Sequence, residues 1–173
     1  MFTFVFFTCN DAPALARSLA PLVHDAVEGH VLEVVIVDDQ STDSTRDVAE
    51  GSGCRLLDAG AGAARQLAET ARGEWIVALE PGARLLPGWC DAAIEHALRP
   101  DASAARFRRK PAGNWLSRLF RIGELRQRPL AGGVLISRAQ ALANLPPDAR
   151  SIDALARTLP LRKLVAQIDA PAN

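Results

Sequence analysis

The chain has 173 residues, 49% hydrophobic and 23% charged, with twenty acidic side chains against twenty Lys and Arg. That length supports one domain with a buried core. The formal net charge of zero leaves no global field to draw the chain onto nucleic acid, and no run approaches the ~20 apolar residues of a membrane span.

The elements alternate along the chain. Phe2-Thr3-Phe4-Val5-Phe6-Phe7 is apolar and short, without a basic leader or a small-residue cleavage site, so residues 2–8 read as a first strand rather than a signal peptide. Asn10-Asp11 can cap a helix over 12–27, in which Leu15, Leu19, Leu22 and Val23 have helical spacing. A second strand is expected over 32–37, a helix over 42–51 and a short third strand over 54–57. Gly60-Ala61-Gly62 opens an Ala-rich helix that runs to about Arg72, with Gly73 as its C-cap. A fourth strand over 74–79 and a helix over 87–98 complete a βαβ series, which implies an α/β fold with a mainly parallel sheet.

Beyond this point the pattern loosens. Strands are expected over 103–108, 132–137 and 162–168, and helices over 114–126, 138–144 and 151–159. The 114–126 helix is amphipathic, with Trp115, Leu116, Leu119, Phe120 and Ile122 near one face. No repeat or linker divides the chain, so one domain over residues 1–173 is expected.

Charge is unevenly placed. Residues 28–80 hold eleven acids and four bases, and residues 99–128 hold nine bases and two acids. Such a split suits a site that handles a metal ion or a phosphate, although solvated helix faces also produce it. Cys9, Cys54 and Cys90 are widely spaced and form no metal-ligand pattern, so free thiols in a reducing, cytoplasmic compartment are expected.

The most informative stretch is Val34-Val35-Ile36-Val37-Asp38-Asp39-Gln40-Ser41-Thr42-Asp43-Ser44-Thr45. A β-branched run ends in two carboxylates, and a polar turn then leads into a helix. This puts Asp38 and Asp39 at the carboxyl end of a strand, where open α/β sheets bind ligands. The stretch resembles the "VVDDGSTDGT" signature of family 2 glycosyltransferases, with Gln40 where that family usually has Gly. The resemblance implies a GT-A fold, a Rossmann-like three-layer sandwich that binds a nucleotide-sugar.

Thr8-Cys9-Asn10 fits the family's Thr/Ser-x-Asn segment beside the nucleotide base. The resemblance gives Asp39 the hydrogen bond to base or ribose, Asp38 the support of the turn, and Arg65, in Ala63-Ala64-Arg65-Gln66, a place near the base or phosphates. Gly73-Glu74-Trp75 matches the family's Gly-Glu-Tyr. The fourth strand should then end in Asp-x-Asp, which holds Mg²⁺ or Mn²⁺ on the donor diphosphate. Here the sequence is Leu79-Glu80-Pro81-Gly82-Ala83: Glu80 replaces the first carboxylate, Gly82 has no side chain, and one Glu is a weak metal ligand. Arg84-Leu85-Leu86-Pro87-Gly88-Trp89 follows the text of a short bacterial subgroup of the family.

Ala131-Gly132-Gly133-Val134-Leu135-Ile136-Ser137-Arg138 fits the Gly-rich strand near the acceptor site. The nearest carboxylate to the expected Glu-Asp is Asp153, with Ile152 in place of the Glu. The resemblance makes Asp153 the general base, whereas its position alone reads as a helix-start aspartate. No Gln-x-x-Arg-Trp motif of processive synthases is present, and a large acceptor domain is not expected. The basic segment 106–128, with Arg106, Arg108, Arg109, Lys110, Arg118, Arg121, Arg126 and Arg128, offers phosphate contacts or a peripheral contact with an anionic inner membrane face carrying a lipid-linked acceptor. Two functions follow: inverting transfer of a sugar to an acceptor hydroxyl, or a catalytically impaired GT-A domain that binds nucleotide, lipid or a protein partner.

Overall fold

The computed structural model describes residues 1–110 and 129–170. Its strands are β1 (Phe2–Thr8), β2 (Val31–Asp38), β3 (Arg55–Asp58), β4 (Trp75–Leu79), β5 (Arg84–Leu85), β6 (Ala105–Arg109), β7 (Val134–Ser137) and β8 (Arg162–Asp169). Its helices are α1 (Ala12–Val27), α2 (Thr45–Gly51), α3 (Ala63–Thr70), α4 (Trp89–Ala97), α5 (Arg138–Asn144) and α6 (Asp153–Thr158), with a 3-10 turn over Pro129–Gly132. The helix expected over 114–126 lies outside the described residues.

The strands form one sheet in the order β3-β2-β1-β4-β7-β6-β8-β5. Its first half is parallel: β1 lies between β2 and β4, and β2 pairs with β3. The second half is mixed, because β7 runs antiparallel to both β4 and β6, β8 is parallel to β6, and the short β5 is antiparallel to β8. The register fixes where ligands can sit. Thr8 is opposite Asp38, Asp38 opposite Asp58, and Phe6 opposite Leu79, so β1 to β4 end along one edge of the sheet. Short βα turns leave from that edge.

Alternation along β1 feeds two cores. Phe2, Phe4 and Phe6 face α1, α2 and α4, packing with Leu15, Leu19, Ala49 and Trp89. Val5 faces the other way, with Ala63, Ala64 and Leu67 of α3, Ala141 of α5 and Leu155 of α6. The result is the expected three-layer α/β sandwich. Trp89 meets the rings of Phe2 and Phe4 edge-on at 5.4 and 5.3 Å, contacts that each add about 1 kcal/mol beyond area burial.

Gly73 does not cap α3. The helix ends at Thr70 through an extended Ala71, and Gly73 lacks a positive φ. A Cβ at Gly73 would lie 2.6 Å from Thr3 N and 2.8 Å from Phe2 C. The glycine is needed for close approach to the backbone of β1, and its N–H donates to Thr3 Oγ1 at 2.9 Å. Glycine before a strand carries both meanings in sequence, and only the fold separates them.

Candidate functional site

The β2–α2 turn is built from side chain to backbone hydrogen bonds. Asp38, fully buried at the end of β2, accepts from Ser41 N and Ser41 Oγ and from Thr8 Oγ1 of β1. Arg46, at the start of α2, donates to Asp38 at 3.1 Å and to Asp58 of β3 at 3.0 Å, tying two strand ends together. The Asp58 and Asp38 carboxylates raise the guanidinium's pKa above its ordinary value. Asn10, at φ 57, turns its carboxamide oxygen onto Thr42 N at 2.8 Å and Asp43 N at 3.2 Å. Asp43 in turn accepts from Ala12 N and Thr45 N, so it caps α1 as well as its own helix. The Thr45 hydroxyl holds the Asp43 carboxyl below its ordinary value.

This geometry explains the sequence of the turn. Gln40 has φ 55, the left-handed region in which glycine is unstrained, which accounts for a Gly-favouring position there. Asp11 occupies the expected N-cap of α1 but makes no side-chain cap; its carboxylate accepts from Cys9 N, and Asp43 does the capping.

Asp39 differs from its neighbours. Its N–H is fixed on Thr8 O at 2.8 Å, yet among the described residues its exposed carboxylate has no hydrogen-bond or ionic partner. It lines a cleft of about 340 Å³ over the ends of β1 and β2, with Thr8, Cys9, Asp11, Gly60, Arg150 and Ser151 on the walls. That volume lies at the small end of ligand pockets and suits a nucleoside rather than a whole nucleotide-sugar.

The other expected site residues are spread over several places. Thr8 lines the cleft, buried beneath it. Asn10 and Asp38 belong to the turn that shapes it, with their oxygens already engaged. Arg65 does not line the cleft: its Nε donates to Glu69 at 3.0 Å and its Nη1 to Leu145 O at 3.2 Å. Asp153 begins α6, its N–H donating to Ser151 Oγ at 2.9 Å. It lines a neighbouring depression that shares Arg150 and Ser151 with the cleft.

Glu80 follows β4 and opens a tight turn in which Ala83 N donates to Glu80 O at 3.1 Å, with Pro81 next and Gly82 at φ 88. This is the type II pattern, Pro then a positive-φ Gly. Ser18 of α1, 2% exposed, clamps the turn by accepting from Gly82 N and donating to Ala83 O, both at 2.8 Å. Among the described residues no three His, Cys, Asp or Glu side chains gather to hold a metal ion. One carboxylate beside a Pro-Gly turn does not fit an octahedral, oxygen-rich Mg²⁺ or Mn²⁺ site.

Arg150 and Ser151 are cleft residues that motif reading misses. They follow Pro146-Pro147 in a loop with no signature, and they reach the site through contacts about eighty positions away in sequence, such as Ala64 N to Ala149 O at 3.0 Å.

Among the described residues, no helix is long and apolar enough to cross a membrane. Cys9, Cys54 and Cys90 are free thiols, and burial pushes the Cys54 thiol up to about 11.

No curated protein matches the sequence. Solved structures do match the fold. Glucosyl-3-phosphoglycerate synthase from Mycobacterium tuberculosis, in complex with Mn²⁺, UDP and glucosyl-3-phosphoglycerate, superimposes with a TM-score of 0.61 at 20% identity, over 100% of this chain and 72% of that one. The mannosyltransferase PcManGT from Pyrobaculum calidifontis, with GDP-Man and Mn²⁺, gives 0.61 at 20% identity, over 98% of this chain and 54% of that one. Mannosyl-3-phosphoglycerate synthase from Rubrobacter xylanophilus gives 0.56 at 18% identity, over 81% and 54%. This chain therefore spans between about half and three quarters of the length of these proteins, and the likeness establishes the GT-A fold. The family model for "Glycosyl transferase family 2" matches residues 3–139, the region that carries the Asp38-Asp39 turn, the Glu80 turn and the Gly-rich β7. The chain belongs to glycosyl transferase family 2.

Proposed function

We propose that this protein transfers a sugar, with inversion, from a nucleotide-sugar to an acceptor hydroxyl. The observation that carries the reading is the pairing of a buried, fully engaged Asp38 with an Asp39 whose carboxylate has no partner among the described residues, at the mouth of a nucleoside-sized cleft. A fixed backbone and a free carboxylate are what a base or ribose donor group needs. In this reading Thr8 floors the cleft, while Asn10 and Asp38 hold its rim in shape. Asp153 takes the acceptor proton as the acceptor oxygen bonds to C1 of the sugar. The C1–oxygen bond to the donor breaks in the same displacement, and the nucleoside diphosphate leaves with its electron pair.

PcManGT is crystallised with GDP-Man and Mn²⁺; here the donor class is proposed by family, and no step is assigned to a metal. A lipid-linked acceptor reached through segment 106–128, at the inner face of a membrane, belongs to the same proposal.

A second reading is favoured by the β4 turn. Gly82, bonded to Ser18, stands where a metal carboxylate would be, which suits a domain that binds a nucleotide without transferring its sugar. Titration with UDP-, GDP- and dTDP-sugars, with and without Mn²⁺, while following sugar release separates the two. Turnover supports transfer, binding without turnover supports the second reading, and absence of binding to every nucleotide overturns both.

A further inference from the structure

The cleft above the ends of β1 and β2 is bipolar. One wall carries the Asp39 carboxylate, and among the described residues the only cationic side chain lining the cleft is Arg150. Among the described residues Arg150 has no ion pair or hydrogen bond, although its loop is firmly held. Ala64 N donates to Ala149 O at 3.0 Å, Arg65 Nη1 donates to Leu145 O at 3.2 Å, and Ala149 N donates to Pro146 O at 3.1 Å. A Cβ at Gly62, which has φ +83, would lie 3.0 Å from Pro147 O, so the start of α3 fits closely under the same loop. Arg65, the cation expected in the cleft, therefore acts as a positioning residue for the loop that presents another cation.

A fixed backbone with an unpartnered guanidinium suits capture of an anion, because little order is lost on binding and five N–H donors are available. The ligand that complements both walls has an N–H edge for Asp39 and an anionic group for Arg150. The β4 turn offers a single carboxylate, Glu80, and does not fit a divalent cation.

We propose that Arg150 supplies the positive charge of the donor cleft, holding the phosphate of a nucleoside diphosphate directly, so that binding requires no divalent cation. This rests on the nucleotide reading of the cleft. The side chain is exposed and has no partner among the described residues, so replacing it leaves the fold intact, which thermal unfolding of the variant checks.

The test is calorimetric titration of the full chain with uridine, UDP, guanosine and GDP, in EDTA and in MnCl₂, for wild type, Arg150→Gln and Arg150→Lys. The proposal expects the better diphosphate to bind at least about ten-fold more tightly than its own nucleoside in EDTA. Mn²⁺ should change that ratio by less than about threefold, R150Q should abolish it while leaving nucleoside affinity within about twofold, and R150K should restore part of it. A ratio that appears only with Mn²⁺, or one unchanged in R150Q, overturns the proposal. Equal weakening of nucleoside and diphosphate in R150Q also overturns it, because Arg150 would then read the base. Absence of binding to all four ligands overturns the nucleotide reading itself, a result distinct from nucleoside binding without a phosphate gain.

Discussion

The ends of β2 and β4 lie on the same edge of the sheet, two strands apart, and have been used in opposite ways. At the end of β2, polar side chains hold one part of the turn to another: Asp38 holds Ser41, Asn10 holds Thr42 and Asp43, and Asp43 holds Ala12. That bracing leaves Asp39 fixed in backbone and, among the described residues, free in side chain. At the end of β4, Pro81 and Gly82 close a turn that Ser18 clamps from α1. The first end leaves a side chain exposed on a braced backbone, and the second is closed on itself. A family signature thus contains two kinds of residue, those that make the loop and those that the loop serves, and they can be told apart by whether their polar atoms are already engaged.

The largest effect is expected at Asp38. Asp38→Ala removes the acceptor for Ser41, Thr8 and Arg46 together, and should cost about 3 kcal/mol in denaturant unfolding. Asp39→Asn should stay within about 0.5 kcal/mol of wild type. Similar losses in the two variants would erase the distinction drawn between them.

Ser18→Ala should cost about 2 kcal/mol in the same assay, because it strands the Gly82 N–H and the Ala83 carbonyl in a buried place. A neutral result would show that the β4 turn does not depend on its clamp. Gly82→Asp tests whether the metal position can be recovered by side chain alone. At φ 88 the substitution should cost about 1 kcal/mol and confer no Mn²⁺ binding in a calorimetric titration. Tight binding in that variant would mean that the turn is more permissive than its geometry implies.

The smallest effect concerns the opposite edge of the sheet, where Glu33 of β2 is structural. Burial works to raise its pKa, but hydrogen bonds from Arg55 and Arg72 N, the Arg55 charge and the Thr3 hydroxyl outweigh it, and the carboxyl is held below its ordinary value of 4.5. A folded value below the unfolded one stabilises the protein above pH 4.5, and that contribution is lost as the pH falls through the folded value. Tm should therefore drop between about pH 5 and 3, with a shallower slope in Glu33→Gln. An unchanged slope would assign the acid sensitivity to Asp43, Asp101 and Asp169, whose carboxyls are also held low.

Much of the parallel half was legible in sequence, because its signals are local. The apolar runs ending at Thr8, Asp38 and Leu79 mark β1, β2 and β4 within a residue or two, and the alternation with helices implies their parallel order. The mixed half was less so: the two-residue β5 carries no periodicity, and its pairing with β8 joins positions far apart in the chain. At the site, the place of Asp39 at a strand end follows from the apolar run before it, whereas its role and the reading of Gly82 as a lost metal carboxylate come only from the family resemblance. The resemblance puts Arg65 near the base or phosphates; in the fold its guanidinium reaches Glu69 one turn on and Leu145 O across the fold. Arg150, Ser18 and the close fit of Gly73 on β1 depend on contacts over 60 or more positions, which no local pattern encodes.

We propose that the β2 turn serves to present Asp39 to the ligand. Calorimetric titration of wild type and Asp39→Asn with the nucleoside and diphosphate of the preferred donor tests it most directly. Asp39→Asn should lose about ten-fold or more in affinity for nucleoside and diphosphate alike, with an unfolding midpoint matching wild type. Wild-type affinity in Asp39→Asn would contradict it.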